Sequence, residues 1–217
     1  MGINSTFWKE RHLSRRDLTT QIVHLTKPSI EEGTKHNSLI NLLRILKSRT
    51  IFGSTTETGF IIGNTPAVCF QDIPLHYLEK NLKYEKHLRE NSSNKKIRYS
   101  STGLIFSKPY IYAKKGRPVI YESTQKAKRI LPPSEYWRIV NFDLSDTKNI
   151  VDWTHEREWR IPGDFKFELK EVTIVVSSLF QFQKLKSILK NRQEKSGIDY
   201  LSEVKSVVTL DAQKLLR

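Results

Sequence analysis

Sulfur is nearly absent from this chain: Cys69 is the only cysteine among 217 residues. One thiol excludes an internal disulfide and any site built from several thiolates, and it suits a reducing compartment such as the cytoplasm. Long apolar runs are missing too. The amino-terminal stretch MGINSTFWKERHLSRRD is charged where a secretory signal is apolar. No run approaches the roughly 18 apolar residues of a membrane span, so a cytoplasmic protein with no membrane partner is expected. The common phosphate and metal signatures are also lacking: no GxxxxGKS/T loop, no GxGxxG turn and no HExxH helix. The six histidines, at positions 12, 24, 36, 76, 87 and 155, are too scattered to suggest zinc, and no metal site is expected.

Acidic residues are in deficit, with 23 Asp and Glu against 37 Lys and Arg, a formal charge of +14. Such a surface attracts polyanions, and nucleic acid (DNA or RNA) is the first partner class to consider; solubility alone is the competing account. Part of the positive charge falls in stretches read as exposed loops, which hold Lys95, Lys96, Arg98, Lys114, Lys115 and Arg117, with Lys126, Lys128 and Arg129 beyond them.

What is present is enough apolar content, 37%, for a real core. One α+β domain is expected over 1–217, with a basic leader at 1–20, a motif-bearing core at 21–160 and a strand–helix–strand tail at 161–217. QIVHLT reads as a short strand, and NSLINLLRILKSR as an amphipathic helix capped by Asn37 or Ser38. Phe60 to Ile62 and Ala67 to Phe70 read as strands around a Gly-Asn-Thr-Pro turn, and Asp72 as the cap of a helix that begins with Ile73 and Pro74. GLIF, PVIY, YWRIVNFDL and EREWRI follow as strands, with a helical turn ended by Gly116 between the first two. In the tail, EVTIVVSS and VKSVVTL flank the helix LFQFQKLKSILKNRQ.

The chemistry-bearing candidates are few. Strand alternation puts Glu156 and Glu158 on one face of EREWR, where two carboxylates repel unless a cation or hydroxyl joins them. The competing reading is a salt-bridged edge strand. Arg160 shares that face and can hold Glu158 or touch a phosphate. His24 and Thr26 share a face of the first strand and offer an imidazole and a hydroxyl to one ligand. Tyr121, at the end of PVIY, is a stacking ring or a core residue. Cys69 in AVCF reads as a buried thiol. A magnesium nuclease using Glu156, Glu158 and Asp164 is a further reading, without a lysine-spaced nuclease motif to accompany it.

Taken together, IVHLTK, SLINLLRIL, AVCFQDIPL, GLIFSK, GRPVIY and EREWR resemble the AbiGi-type abortive-infection family of phage-resistance proteins, over roughly His24 to Arg160. CFQDIPL and the succession GLIFSK, PVIY, EREWR carry most of the resemblance. It implies a role in bacterial antiviral defence or a toxin–antitoxin system, with a cognate toxin or antitoxin as a partner. The layout is similar, more remotely, to DarT-like ADP-ribosyltransferases, which implies an ADP-ribosyltransferase-like arrangement of short strands with flanking helices and NAD as substrate. By that similarity Glu158 is the catalytic acid, Glu156 orients the acceptor, and Tyr121 stacks on nicotinamide. His24, supported by Thr26, would hold the adenosine ribose. A non-catalytic antitoxin or nucleic-acid-binding protein of the same defence system is the alternative.

Overall fold

The computed structural model describes residues 2–31, 33–91, 97 and 99–211. In chain order the elements are α1 (Ser5–Leu13), β1 (Gln21–Leu25), β2 (Ser29–Glu31), β3 (Thr34–His36), α2 (Ser38–Ser48), β4 (Thr50–Ile51) and β5 (Ala67–Gln71). Next come α3 (Leu75–Glu90), β6 (Gly103–Ser107), α4 (Lys108–Ala113), β7 (Arg117–Pro118), β8 (Ile120–Glu122), α5 (Thr124–Ile130) and β9 (Ile139–Asn141). The remainder holds β10 (Glu158–Pro162), β11 (Phe165–Lys166), β12 (Thr173–Val176), α6 (Leu179–Ser196), α7 (Tyr200–Glu203) and β13 (Ser206–Thr209). The chain is thus a mixed α/β fold.

It divides into two compact units, each gathered from three stretches. Unit 1 is Met1–Ile22, Thr50–Ile73 and Ser107–Lys166; unit 2 is Val23–Arg49, Pro74–Phe106 and Phe167–Arg217. Neither is a continuous segment, because strands far apart in the chain pair with one another.

In unit 2 the strand order is β13-β12-β6-β1. The TIVV run of β12 is buried throughout, as a continuous apolar strand must be, and pairs in parallel with β13 on one side and antiparallel with β6 on the other. The apolar stripe of α2 is Leu39, Leu42, Leu43 and Leu46, the i, i+3, i+4, i+7 spacing of one helix face, and Asn37 caps it by accepting from the Ile40 N–H. Gly103 is required by close approach: a Cβ there would meet the His24 carbonyl oxygen at 2.2 Å.

In unit 1 the antiparallel order is β5-β10-β7, beside the β4–β11 and β8–β9 pairs. The register sets Cys69 opposite Arg160 and Gln71 opposite Glu158, so those four side chains share one face of the sheet. Val68, Phe70 and Ile161 lie on the other face and are buried. One polar face and one apolar face on the same two strands is the arrangement that positions the site.

Several sequence expectations change here. Phe60 to Ile62 is irregular chain with Ile61 buried and Phe60 exposed, and Thr56 Oγ1 donates to the Ile61 carbonyl that a strand ladder would otherwise use. The polar leader contains a helix, α1, capped by Asn4. YWR belongs to a 3-10 turn, Pro133–Arg138, before β9 begins. Asp72 caps nothing: α3 starts at Leu75 behind Pro74, with no side-chain cap. The turn after α4 is made by Lys115 (φ 69) and not by Gly116, which instead allows close packing on Ile111.

Candidate functional site

The polar face of unit 1 is centred on Glu158 and Arg160. As residues i and i+2 of β10 they project to the same side. Arg160 Nε donates to Glu158 Oε1 at 2.8 Å and its Nη2 to Oε2 at 3.2 Å. The guanidinium is itself anchored, donating to the carbonyls of Trp137 (2.7 Å), Ile139 (3.2 Å) and Phe60 (3.4 Å). Its side chain is 3% exposed, that of Glu158 14%. Burial opposes the Arg160 charge, but the Glu158 carboxylate and Cys69 together outweigh it, and the net shift of the guanidinium pKa is upward. The result is a fixed ion pair whose carboxylate still reaches solvent and, with about four acceptor positions, retains capacity beyond the two bonds from Arg160.

Tyr121 meets the same residue from β8. Its hydroxyl accepts from the Glu158 N–H at 2.9 Å, and the phenol's own hydrogen has no partner among the described residues. Burial pushes the phenol pKa up to about 12, with the nearby Glu158 and Glu156 charges adding to the rise against the Glu158 N–H and Arg160. Across the sheet, Cys69 lies against Glu158 and Arg160. Burial, then the negative charge of Glu158, raises its thiol pKa, with Arg160 opposing. A thiol held protonated is no nucleophile.

Glu156 does not share a strand face with Glu158. It ends the 3-10 turn Thr154–Glu156, and Arg157 follows in a left-handed conformation (φ 46, ψ 48) before β10 begins. That single residue redirects the chain, so strand alternation does not apply to the pair. Glu156 is buried and accepts a hydrogen bond from Gln71 Nε2, with His155 Nε2 3.8 Å from its other oxygen. Arg157 carries the chain past Asp72, whose N–H donates to the Arg157 carbonyl.

Asp72 and Lys108 bear no chemical signature in the sequence, yet they form a buried ion pair of 2.7 Å with side chains 10% and 9% exposed. Asp72 Oδ1 has no hydrogen-bond donor among the described residues, the Arg157 guanidinium standing 3.8 Å away. The signal that points to them is where they fall: Cys69, Gln71 and Asp72 belong to the CFQD of CFQDIPL, Lys108 closes GLIFSK, Tyr121 closes PVIY, and Glu156 to Arg160 is EREWR. These four short strings, distant in the chain, supply interlocking polar side chains of unit 1.

The other expected residues are placed as follows. His24 and Thr26 belong to unit 2. His24 is half-buried in β1. Thr26 is 3% exposed, and its hydroxyl is directed at the Ser38 (3.0 Å) and Thr102 (2.9 Å) carbonyls, which makes it a structural tie within unit 2 and leaves little for a ligand. Asp164 accepts from the Gly53 N–H, and among the described residues no group of three or more His, Cys, Asp or Glu is arranged to hold a metal ion. Lys95, Lys96 and Arg98 lie outside the described residues. Lys114 and Lys115 are exposed in unit 1, with Arg117 half-buried beside them. Among the described residues no helix is long and apolar enough to cross a membrane.

Comparison of the chain with protein-family models, with curated proteins and with solved structures finds no match.

Proposed function

We propose that unit 1 carries an NAD-dependent ADP-ribosyl transfer site, in a protein of bacterial antiviral defence of the abortive-infection or toxin–antitoxin kind, with an ADP-ribosyltransferase-like arrangement of its strands. The observation that carries this reading is Glu158: a carboxylate gripped by Arg160, fixed at its main chain by Tyr121, and still open to solvent. Breaking the bond between nicotinamide and the ribose C1′ sends the electron pair out with nicotinamide and builds positive charge on the ribose. A pre-positioned anion that also accepts from a ribose hydroxyl stabilises that charge as it develops. The acceptor nucleophile then bonds to C1′ and gives up its proton to solvent water. Tyr121, with its oxygen tied to β10, would fix the ring that faces nicotinamide. Glu156, behind Gln71 and beside His155, is suited to orienting an acceptor from the turn before β10. The basic surface suits a nucleic-acid acceptor.

A second reading is favoured by the same clamp, since a bidentate ion pair is also a complete structural element. In it the protein is a non-catalytic antitoxin or nucleic-acid-binding protein, and Glu158 serves β10 alone. The deciding experiment is incubation with labelled NAD and DNA, RNA or lysate, comparing wild type with a folded Glu158→Gln variant. Transfer of label by wild type alone supports the transferase. Equal absence of label and of nicotinamide release from both proteins rejects it in favour of the binding protein.

A further inference from the structure

The corner between α4 and β7 has a geometry that neither the composition nor the proposed chemistry requires. α4 ends at Ala113, and the chain reverses through Lys114 and Lys115, the latter in a left-handed conformation (φ 69) that costs a non-glycine residue roughly 1 kcal/mol or more. Gly116 then packs directly beneath the helix, its N–H donating to the Ile111 carbonyl at 2.8 Å; a Cβ there would meet Ile111 Cγ2 at 2.3 Å. This tight return lays Arg117 over Tyr112. The guanidinium carbon is 3.8 Å from the ring centroid, and Nη1 donates to the Tyr112 and Gly116 carbonyls at 3.0 and 2.7 Å.

Tyr112 itself is 56% exposed. A large ring left in water, braced on one side by a hydrogen-bonded guanidinium and followed by two exposed lysines, combines a flat stacking surface with phosphate-binding charge. A solvated charged loop needs neither the brace nor the ring. The register also gives the corner a direction: Arg117 pairs with Arg160, so it lies on the Glu158 face of the sheet. From Arg117 to Tyr121 is at most about 14 Å of chain.

We infer that this corner is a platform for single-stranded nucleic acid, with Tyr112 as its base-stacking surface and Lys114 and Lys115 as its phosphate-binding cations. The inference rests on the reading of nucleic acid as the acceptor and adds how the strand is held. Stacking selects unpaired bases over any other polyanion, because heparin or an abasic strand offers charge without a π-face.

The test is fluorescence anisotropy of labelled single-stranded DNA and RNA oligonucleotides with the full chain. Tyr112→Ala weakens binding about five- to 150-fold, the range of one lost base stack. Tyr112→Phe keeps the ring and binds as wild type, whereas Tyr112→Leu keeps apolar area without the π-face and binds as the alanine variant. An abasic strand binds wild type and Tyr112→Ala equally. The double variant Lys114→Ala, Lys115→Ala flattens the dependence of log K on log salt by about 0.7 for each phosphate no longer neutralised. No binding of single strands by wild type, or equal loss on base-bearing and abasic strands in Tyr112→Ala, overturns the platform. NAD turnover is scored separately: Tyr112-dependent binding without turnover keeps the platform and rejects the transferase, and turnover without Tyr112-dependent binding does the reverse.

Discussion

Arg160 reaches back two positions along its own strand and takes both carboxylate oxygens of Glu158, at 2.8 and 3.2 Å. The same guanidinium holds three main-chain carbonyls from the 3-10 turn, from β9 and from the loop at Phe60. The pair is therefore both the electrostatic centre of the polar face and a tie among three segments of unit 1.

Arg160 is the buried partner of the pair, and removing it leaves the mostly covered Glu158 carboxylate without its cation. Arg160→Ala is expected to destabilise the protein by about 3–5 kcal/mol, seen as a lower urea midpoint at unchanged m-value. Arg160→Lys recovers only part, because an ammonium cannot reproduce the two parallel bonds. Glu158→Gln preserves shape and one acceptor, so its cost is expected to be about 1–3 kcal/mol. A Glu158→Gln variant as unstable as Arg160→Ala would show that this position is needed for folding and leave a transferase assay on it uninformative.

Asp72 and Lys108 make the second buried pair, joining the end of β5 to the start of α4. Lys108→Ala is expected to cost about 3–5 kcal/mol, since it strands a carboxylate that already has one oxygen without a donor among the described residues. The combined change Asp72→Leu, Lys108→Met is expected to recover most of that loss, because an apolar pair of similar size carries no desolvation penalty. A double-mutant cycle measures the coupling; near-zero coupling would remove the pair from the determinants of unit 1.

Elements with one dominant local signal are legible in the sequence. The Leu39, Leu42, Leu43, Leu46 stripe, the TIVV run and the strand–helix–strand order of the tail each follow from periodicity within a few residues, whereas the parallel pairing of the two tail strands comes from the fold. The candidate site is legible only in part. Glu158 and Arg160 share a face because alternation holds within β10, but alternation fails one residue earlier, where Arg157 turns left-handed, and nothing in EREWR announces that turn. Asp72 reads as a helix cap because Asp is a favoured N-cap residue and proline is tolerated in the first helical turn. The partner that claims it instead, Lys108, lies 36 positions away, and such a pairing is invisible without the fold. The division into two units is hidden for the same reason, since each is assembled from three separated stretches.

Cys69 offers a chemical probe of the polar face. Burial and the Glu158 charge hold its thiol protonated well above the ordinary thiol range. The native protein is therefore expected to react with iodoacetamide at pH 8 far more slowly than the denatured chain, in which the single cysteine reacts completely. Arg160→Ala withdraws the cation that opposes the shift, so in a still-folded variant the thiol is not expected to become more reactive. Rapid native labelling at pH 8 would contradict the placement of Cys69 against Glu158.

Tyr121 gives the face a pH signature in the alkaline range. The folded chain holds the phenol proton more tightly than the unfolded chain does, first because burial disfavours the phenolate and then because Glu158 and Glu156 repel it. A group whose pKa is raised on folding contributes its full stabilisation below the unfolded value, about 10 for tyrosine, and loses it as the pH climbs through the folded value. The folded value here is about 12. Stability measured by urea unfolding is thus expected to fall between about pH 10 and 12 by a component that Tyr121→Phe lacks, and phenolate absorbance should show a matching late titration only in wild type. Below pH 10 the variant should instead show a constant deficit of about 1 kcal/mol from the lost acceptor for the Glu158 N–H. Parallel pH profiles and identical phenolate titrations in the two proteins would place Tyr121 in water and detach it from Glu158.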